Sequence, residues 1–125
     1  MTTDQLATAE TFAQLGLSAG LIQTLDELGY EAPTPIQLKT IPLMLAGRSL
    51  IGQAQTGTGK TAAFALPILD RLDLTHNTVQ ALILAPTREL AIQVAEAIQT
   101  YAKHLGRVRT MPIYGGDSMG KQIGR

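Results

Sequence analysis

Cysteine is absent from all 125 residues, which excludes disulfides, thiolate metal sites and cysteine nucleophiles. Net charge is missing as well, because ten basic and ten acidic side chains cancel. With no global field to draw in a polyanion, any nucleic-acid contact has to come from local placement of Arg, Lys and backbone N–H groups. No apolar run approaches the length needed to span a bilayer. The opening residues, Met1 to Gln5, lack the basic-then-apolar pattern of a signal peptide. There is no internal repeat and no low-complexity tract. The expectation from these absences is a soluble protein, most simply a cytoplasmic one.

What is present is enough apolar material for a core, at 45% hydrophobic residues, in a length that suits one small domain or a piece of a larger one. Residues 1–11 read as a loosely ordered polar lead. A first helix is expected from Ser18, a good N-cap, through Leu21, Ile22, Leu25 and Leu28, with Gly29 where a left-handed terminator belongs. A second starts at Thr34 with Pro35 as its first helical residue; Pro42 should bend or break it, and Gly47 ends it. A strand at about 49–54 then feeds a loop and a helix interrupted by Pro67. Ala81 to Ala85 is apolar throughout, as expected of a parallel strand covered on both faces. The longest helix covers roughly Thr87 to Leu105, with Leu90, Val94, Ile98, Tyr101 and Leu105 at helical spacing. A third strand, about 108–114, ends in Gly115-Gly116, after which Ser118 is placed to cap another helix. Strands alternating with helices predict an α/β fold with a parallel sheet.

The segment Ala54-Gln55-Thr56-Gly57-Thr58-Gly59-Lys60-Thr61 carries the chemistry. It follows an apolar run, Leu50-Ile51-Gly52, and leads into a helical stretch. Glycines let a backbone wrap closely around an anion, and the N–H groups at a helix start aim partial positive charge at phosphates. Lys60 adds a full charge that reaches terminal phosphates, and the Thr61 hydroxyl is placed to ligate Mg²⁺. The bland alternative is a Gly/Thr-rich turn capping an ordinary helix. The strict phosphate-loop pattern begins with Gly, whereas this chain has Ala54. Lys60 and Thr61 are the candidate catalytic residues, but a P-loop ATPase also needs an acidic residue at the end of an apolar strand. The apolar strand at 81–85 runs into Pro86-Thr87-Arg88, and Asp26, Glu27, Asp70, Asp73 and Asp117 have the wrong settings. Phosphate binding is thus encoded and hydrolysis is not, which suggests the amino-terminal part of a longer enzyme.

Four features together resemble the DEAD-box RNA helicases. Gly29 to Gln37 is similar to that family's Q motif, with Phe12 upstream where the family keeps an isolated aromatic. Ala54 to Thr61 resembles its motif I, in which Ala at the first position is normal. Pro86-Thr87-Arg88-Glu89-Leu90 is similar to motif Ia, and Gly115-Gly116 falls at its double-glycine motif. The resemblance spans about residues 12–125. It implies a RecA-like P-loop domain, incomplete at its C-terminus, that binds ATP with Mg²⁺ through Phe12, Gln37 and Ala54, Gln55, Thr56, Gly57, Thr58, Gly59, Lys60 and Thr61.

Gln37 can offer an acceptor and a donor to adenine, a bidentate contact worth roughly 1–3 kcal/mol of discrimination; the alternative is a solvated side chain in a helix's first turn. Phe12 would stack on the base, or else serve as a core aromatic. The resemblance further implies that Thr87, Arg88, Gly115 and Gly116 contact the backbone of single-stranded RNA without reading sequence. Arg88 could instead pair with Glu89 or Asp117, and the glycines could form a plain turn. The leading expectation is the N-terminal portion of an ATP-dependent RNA helicase that unwinds or remodels short duplexes, with this chain alone lacking hydrolysis and unwinding. A non-catalytic nucleotide-binding or interaction module is the rival. The helicase reading predicts marginal stability, because unpaired strand edges and uncovered apolar surface would remain.

Overall fold

Ser18, Thr34-Pro35 and Thr87 each precede an apolar periodicity of about four residues, and each opens a helix. The computed structural model describes residues 11–55, 57 and 59–114. Within them, a short 3-10 helix at Phe12–Leu15 is followed by α1 (Ala19–Glu27), α2 (Pro35–Leu45), α3 (Lys60–Arg71) and α4 (Arg88–Tyr101). The predicted polar lead lies almost wholly outside the described residues, as do Gly115, Gly116 and the proposed cap at Ser118. Among the described residues no helix is long and apolar enough to cross a membrane.

The first two helices stop where expected, and for a specific reason. Gly29 donates to Asp26 O and Tyr30 to Leu25 O, while Gly47 donates to Met44 O and Arg48 to Leu43 O. Both are paired 5→2 and 6→1 bonds that close the last turn, and both glycines hold the left-handed conformation these bonds require. Ser18 is the N-cap residue of α1 but makes no side-chain cap bond; instead its N–H donates to Asp70 Oδ1 at 2.8 Å, fastening the entry of α1 to α3.

Two expectations about proline are corrected. Pro42 does not break α2 and Pro67 does not interrupt α3; both lie inside continuous helices. An interior proline removes one helical hydrogen bond and costs about 3 kcal/mol. Here α2 and α3 make the most extensive contact between any two elements, and Pro67 is fully buried, so packing offsets the local cost. The last helix is also shorter than predicted. It ends at Tyr101, and residues 102–105 turn back with Leu105 N–H on Ala102 O at 2.9 Å. Its buried face begins at Val94 and continues through Ile98 and Tyr101, while Leu90 stays exposed.

Leu21, Leu25, Ile41 and Leu66 form the centre of the core, joined by Phe12, Leu15 and Leu17 from the N-terminal side and by Ile98 and Tyr101 from α4. None of the three expected strands is formed among the described residues; 49–54, 81–85 and 108–114 carry neither helix nor strand. Ile83 and Val108 pack against the helical core, whereas Leu82 and Leu84 are 82% and 87% exposed and Ile51 is 93% exposed. The inward Ile83 between two outward leucines is the alternation of a strand with two faces. Helices cover one face only, and without ladder partners an apolar sequence does not become a strand.

Candidate functional site

The site begins at the start of α2. Thr34 precedes Pro35, and Gln37 is the third helical residue, from which a carboxamide can reach back over the first turn. Gln37 does so: its Oε1 accepts from Thr34 N–H at 2.9 Å. Its Nε2 then donates to Gly59 O at 3.2 Å. Gln37 is only 2% exposed, so both bonds are shielded from water. The buried Thr34 side chain beside them faces the Gln37 backbone N–H, so the two residues form a reciprocal capping box.

Gly59 is held by two independent constraints. It sits at φ +83° as the residue before α3, a left-handed conformation that side chains resist. A Cβ there would also collide with Gln37 Nε2 and lie 3.2 Å from Thr34 Oγ1. Lys60 follows as the exposed first residue of α3, and Thr61 is half-buried behind it. Gly57, at φ +84°, has nothing within 4 Å of the position a Cβ would take, so this side of the loop is open. Ala54 is half-buried and Gln55 exposed. Thr56 and Thr58 lie outside the described residues. A positively charged first residue is disfavoured by the helix dipole, and an anion seated there relieves that penalty.

Phe12 sits as a core aromatic, the alternative to a base-stacking ring. It is 4% exposed inside the core, with its ring 6.4 Å from that of Tyr30. Tyr30 in turn meets Tyr101 edge-on at 6.3 Å, and the two hydroxyls are 3.3 Å apart. Burial and that hydrogen bond push the Tyr101 phenol well above its usual range. Stacking on a purine therefore requires the Phe12 ring to leave this packing.

The second group of candidate residues gathers at the start of α4. Thr87 Oγ1 accepts from Leu90 N–H at 3.2 Å, a side-chain cap. Arg88, the first helical residue, places its guanidinium carbon 4.5 Å from the centre of the Tyr114 ring. Among the described residues it forms no ion pair with Glu89; the carboxylates at ion-pair distance from a basic side chain are Asp73, beside His76, and Glu27, beside Lys103 and His104. Sequence reasoning missed the Gln37–Gly59 bond and the Arg88–Tyr114 stack. The Thr34-x-x-Gln37 spacing of a capping box was a visible signal for half of the first; nothing local signalled the second.

Comparison with known proteins gives this geometry its class. The family model for DEAD/DEAH box helicases matches residues 34–125. The chain is 56% identical over 113 residues to the DEAD-box ATP-dependent RNA helicase CshA of Bacillus cereus, covering 90% of this chain and 21% of that protein. It superposes on a DEAD box protein from Methanococcus jannaschii with a TM-score of 0.87 at 41% identity, over 93% of this chain and 32% of the other. A structure of Saccharomyces cerevisiae Dbp5 bound to RNA and ADP BeF3 matches with a TM-score of 0.69 at 38% identity, over 77% of this chain and 25% of that one. The fold is the α/β P-loop class expected from the sequence, although the described residues display its helices alone. The chain belongs to the DEAD/DEAH box helicase family. It spans about a fifth of the length of the curated relatives it matches.

Proposed function

We propose that this chain carries the ATP-binding face, and part of the RNA-contacting face, of an ATP-dependent helicase that unwinds or remodels short RNA duplexes. The observation that carries this reading is the buried Gln37 carboxamide bonded to the carbonyl of Gly59. It joins the segment similar to the Q motif directly to the phosphate loop.

The residues present fit a magnesium nucleotide. Gly57 leaves open space, Gly59 turns the loop into α3, and Lys60 stands exposed at the positive end of that helix. Ala54, Gln55 and the rest of the loop would wrap the phosphates, with Lys60 neutralising their charge and the Thr61 hydroxyl ligating Mg²⁺. Bound ATP supplies a phosphoryl group whose transfer to water drives the conformational cycle. Gln37 retains one amide proton and one acceptor lone pair beyond its two internal bonds, enough to distinguish adenine from guanine. Thr87 and Arg88, with Gly115 and Gly116, would hold the sugar–phosphate backbone of single-stranded RNA, a cytoplasmic task with no sequence preference. Support for the pairing of ligands comes from Dbp5, which was solved with RNA and ADP BeF3. Hydrolysis and unwinding by this chain alone are expected to be negligible.

Nucleotide titration of the chain and its variants tests the reading. Lys60→Ala should weaken ATP and GTP alike by at least tenfold. Gln37→Ala should weaken both, through the loop, but collapse the ATP-over-GTP ratio. An unchanged ratio would remove Gln37 from base recognition, and wild-type affinity in Lys60→Ala would end the phosphate-site assignment.

A further inference from the structure

We infer that Tyr114 is a positioning residue for RNA: it holds Arg88 in place so that the guanidinium edge faces a phosphate. The inference rests on the proposed RNA-contacting role of Arg88. Its own observation is the cation–π contact, with the Arg88 Cζ 4.5 Å from the Tyr114 ring centre.

The chemistry of a guanidinium makes such a stack productive. Where a guanidinium lies flat over an aromatic ring, only its face is used, and all five N–H donors, which lie in its plane, remain directed outward. A phosphate engages that edge, ideally through two parallel hydrogen bonds. Stack and phosphate therefore do not compete. Arg88 also needs restraint more than most surface arginines. It is the first residue of α4, where the helix dipole repels a cation, and it is exposed on a long, rotamer-rich stem. Against the half-buried Tyr114 ring, the side chain is ordered before RNA arrives, so less freedom is lost on binding.

The stack also spans the chain. Tyr114 directly precedes Gly115-Gly116, and Arg88 belongs to Pro86–Leu90. One aromatic contact thereby ties Arg88 to the residue that precedes the double glycine in sequence, 26 positions away (114 minus 88). Thr87 completes the arrangement by capping α4 through Leu90 N–H, which fixes the direction in which Arg88 leaves the helix.

The test uses the 125-residue chain with fluorescein-labelled oligo(U), read by anisotropy at several salt concentrations, on wild type, Arg88→Ala, Tyr114→Leu, Tyr114→Phe and the Arg88→Ala/Tyr114→Leu double variant. Tyr114→Leu should lower affinity about two- to fivefold, the range expected of an exposed cation–π contact. Tyr114→Phe should restore it, because the ring and not the hydroxyl does the holding. The double variant should bind no more weakly than Arg88→Ala. Thermal midpoints within a degree or two of wild type show that folding is not the cause. An NMR readout independent of RNA follows the Arg88 Hδ resonances, which the ring should shift upfield in wild type and release in Tyr114→Leu.

Wild-type affinity in Tyr114→Leu, an additive loss in the double variant, or unshifted Hδ resonances would each overturn the positioning role. Undiminished RNA binding by Arg88→Ala, or no binding by the wild-type chain, would instead overturn the RNA-contact reading beneath it.

Discussion

Helices α3 and α4 both begin with a cation, Lys60 and Arg88, at the end where a helix dipole disfavours one. They are built in opposite ways. The start of α3 is held by buried groups: a left-handed glycine, its carbonyl, and the shielded Gln37 carboxamide bonded to it. The start of α4 is held by exposed side chains: a threonine hydroxyl as cap and an arginine laid on a ring. A site locked by buried contacts admits few substitutions, whereas one made of surface side chains adapts. On the proposed reading, the first would take a compact triphosphate of fixed shape and the second a polymer backbone met in many sequences.

The largest predicted effect attacks the rigid side of that comparison. Gly59→Ala faces both a strained backbone and a collision with Gln37, so it should cost about 1–3 kcal/mol of stability. Nucleotide affinity should fall with it. Urea unfolding and nucleotide titration check both, and a silent substitution would mean that the loop does not depend on this contact. On the adaptable side, Thr87→Ala should cost about 1 kcal/mol through loss of the cap, with Thr87→Ser recovering most of it. Nucleotide affinity should stay unchanged; a matching loss there would erase the distinction between the two helix starts.

The smallest effect lies away from both. Hydrogen bonds from His104 and then Lys103 hold the Glu27 carboxyl below its usual value of 4.5. The folded state thus binds its proton less readily than the unfolded state, so the contact stabilises above about pH 4.5 and is lost as pH falls through the lower, folded-state value. Glu27→Gln should be slightly less stable than wild type at neutral pH, with the difference vanishing under acid. Melting curves across pH 3 to 7 would show it, and a gap that persists at pH 3 would assign the effect to packing.

Local chemistry was legible where it was decisive. Ser18, Thr34-Pro35, Gly29 and Gly47 announced helix limits because caps and terminators act within a few residues. Pro42 and Pro67 misled for the converse reason: their penalty is local, but the α2–α3 packing that absorbs it is not. The strands were visible as apolar segments, yet a strand exists only with its ladder partners, and Leu82 and Leu84 lack a covering layer in the described residues. At the site, residue types and spacing marked out Gln37, Lys60 and Arg88. Their contacts, 22 positions away at Gly59 for Gln37 and in Tyr114 for Arg88, depend on tertiary placement. The open or buried state of Phe12 was undecidable for the same reason.

The double engagement of Gln37 has a consequence for any attempt to retarget the enzyme. On the proposed reading, one carboxamide is at once a keystone for the loop and an instrument of base choice. An engineer who replaces it to admit guanine would slacken the triphosphate cradle in the same stroke. A new nucleotide preference is therefore better sought in residues around the purine, with Gln37 left in place to hold Gly59.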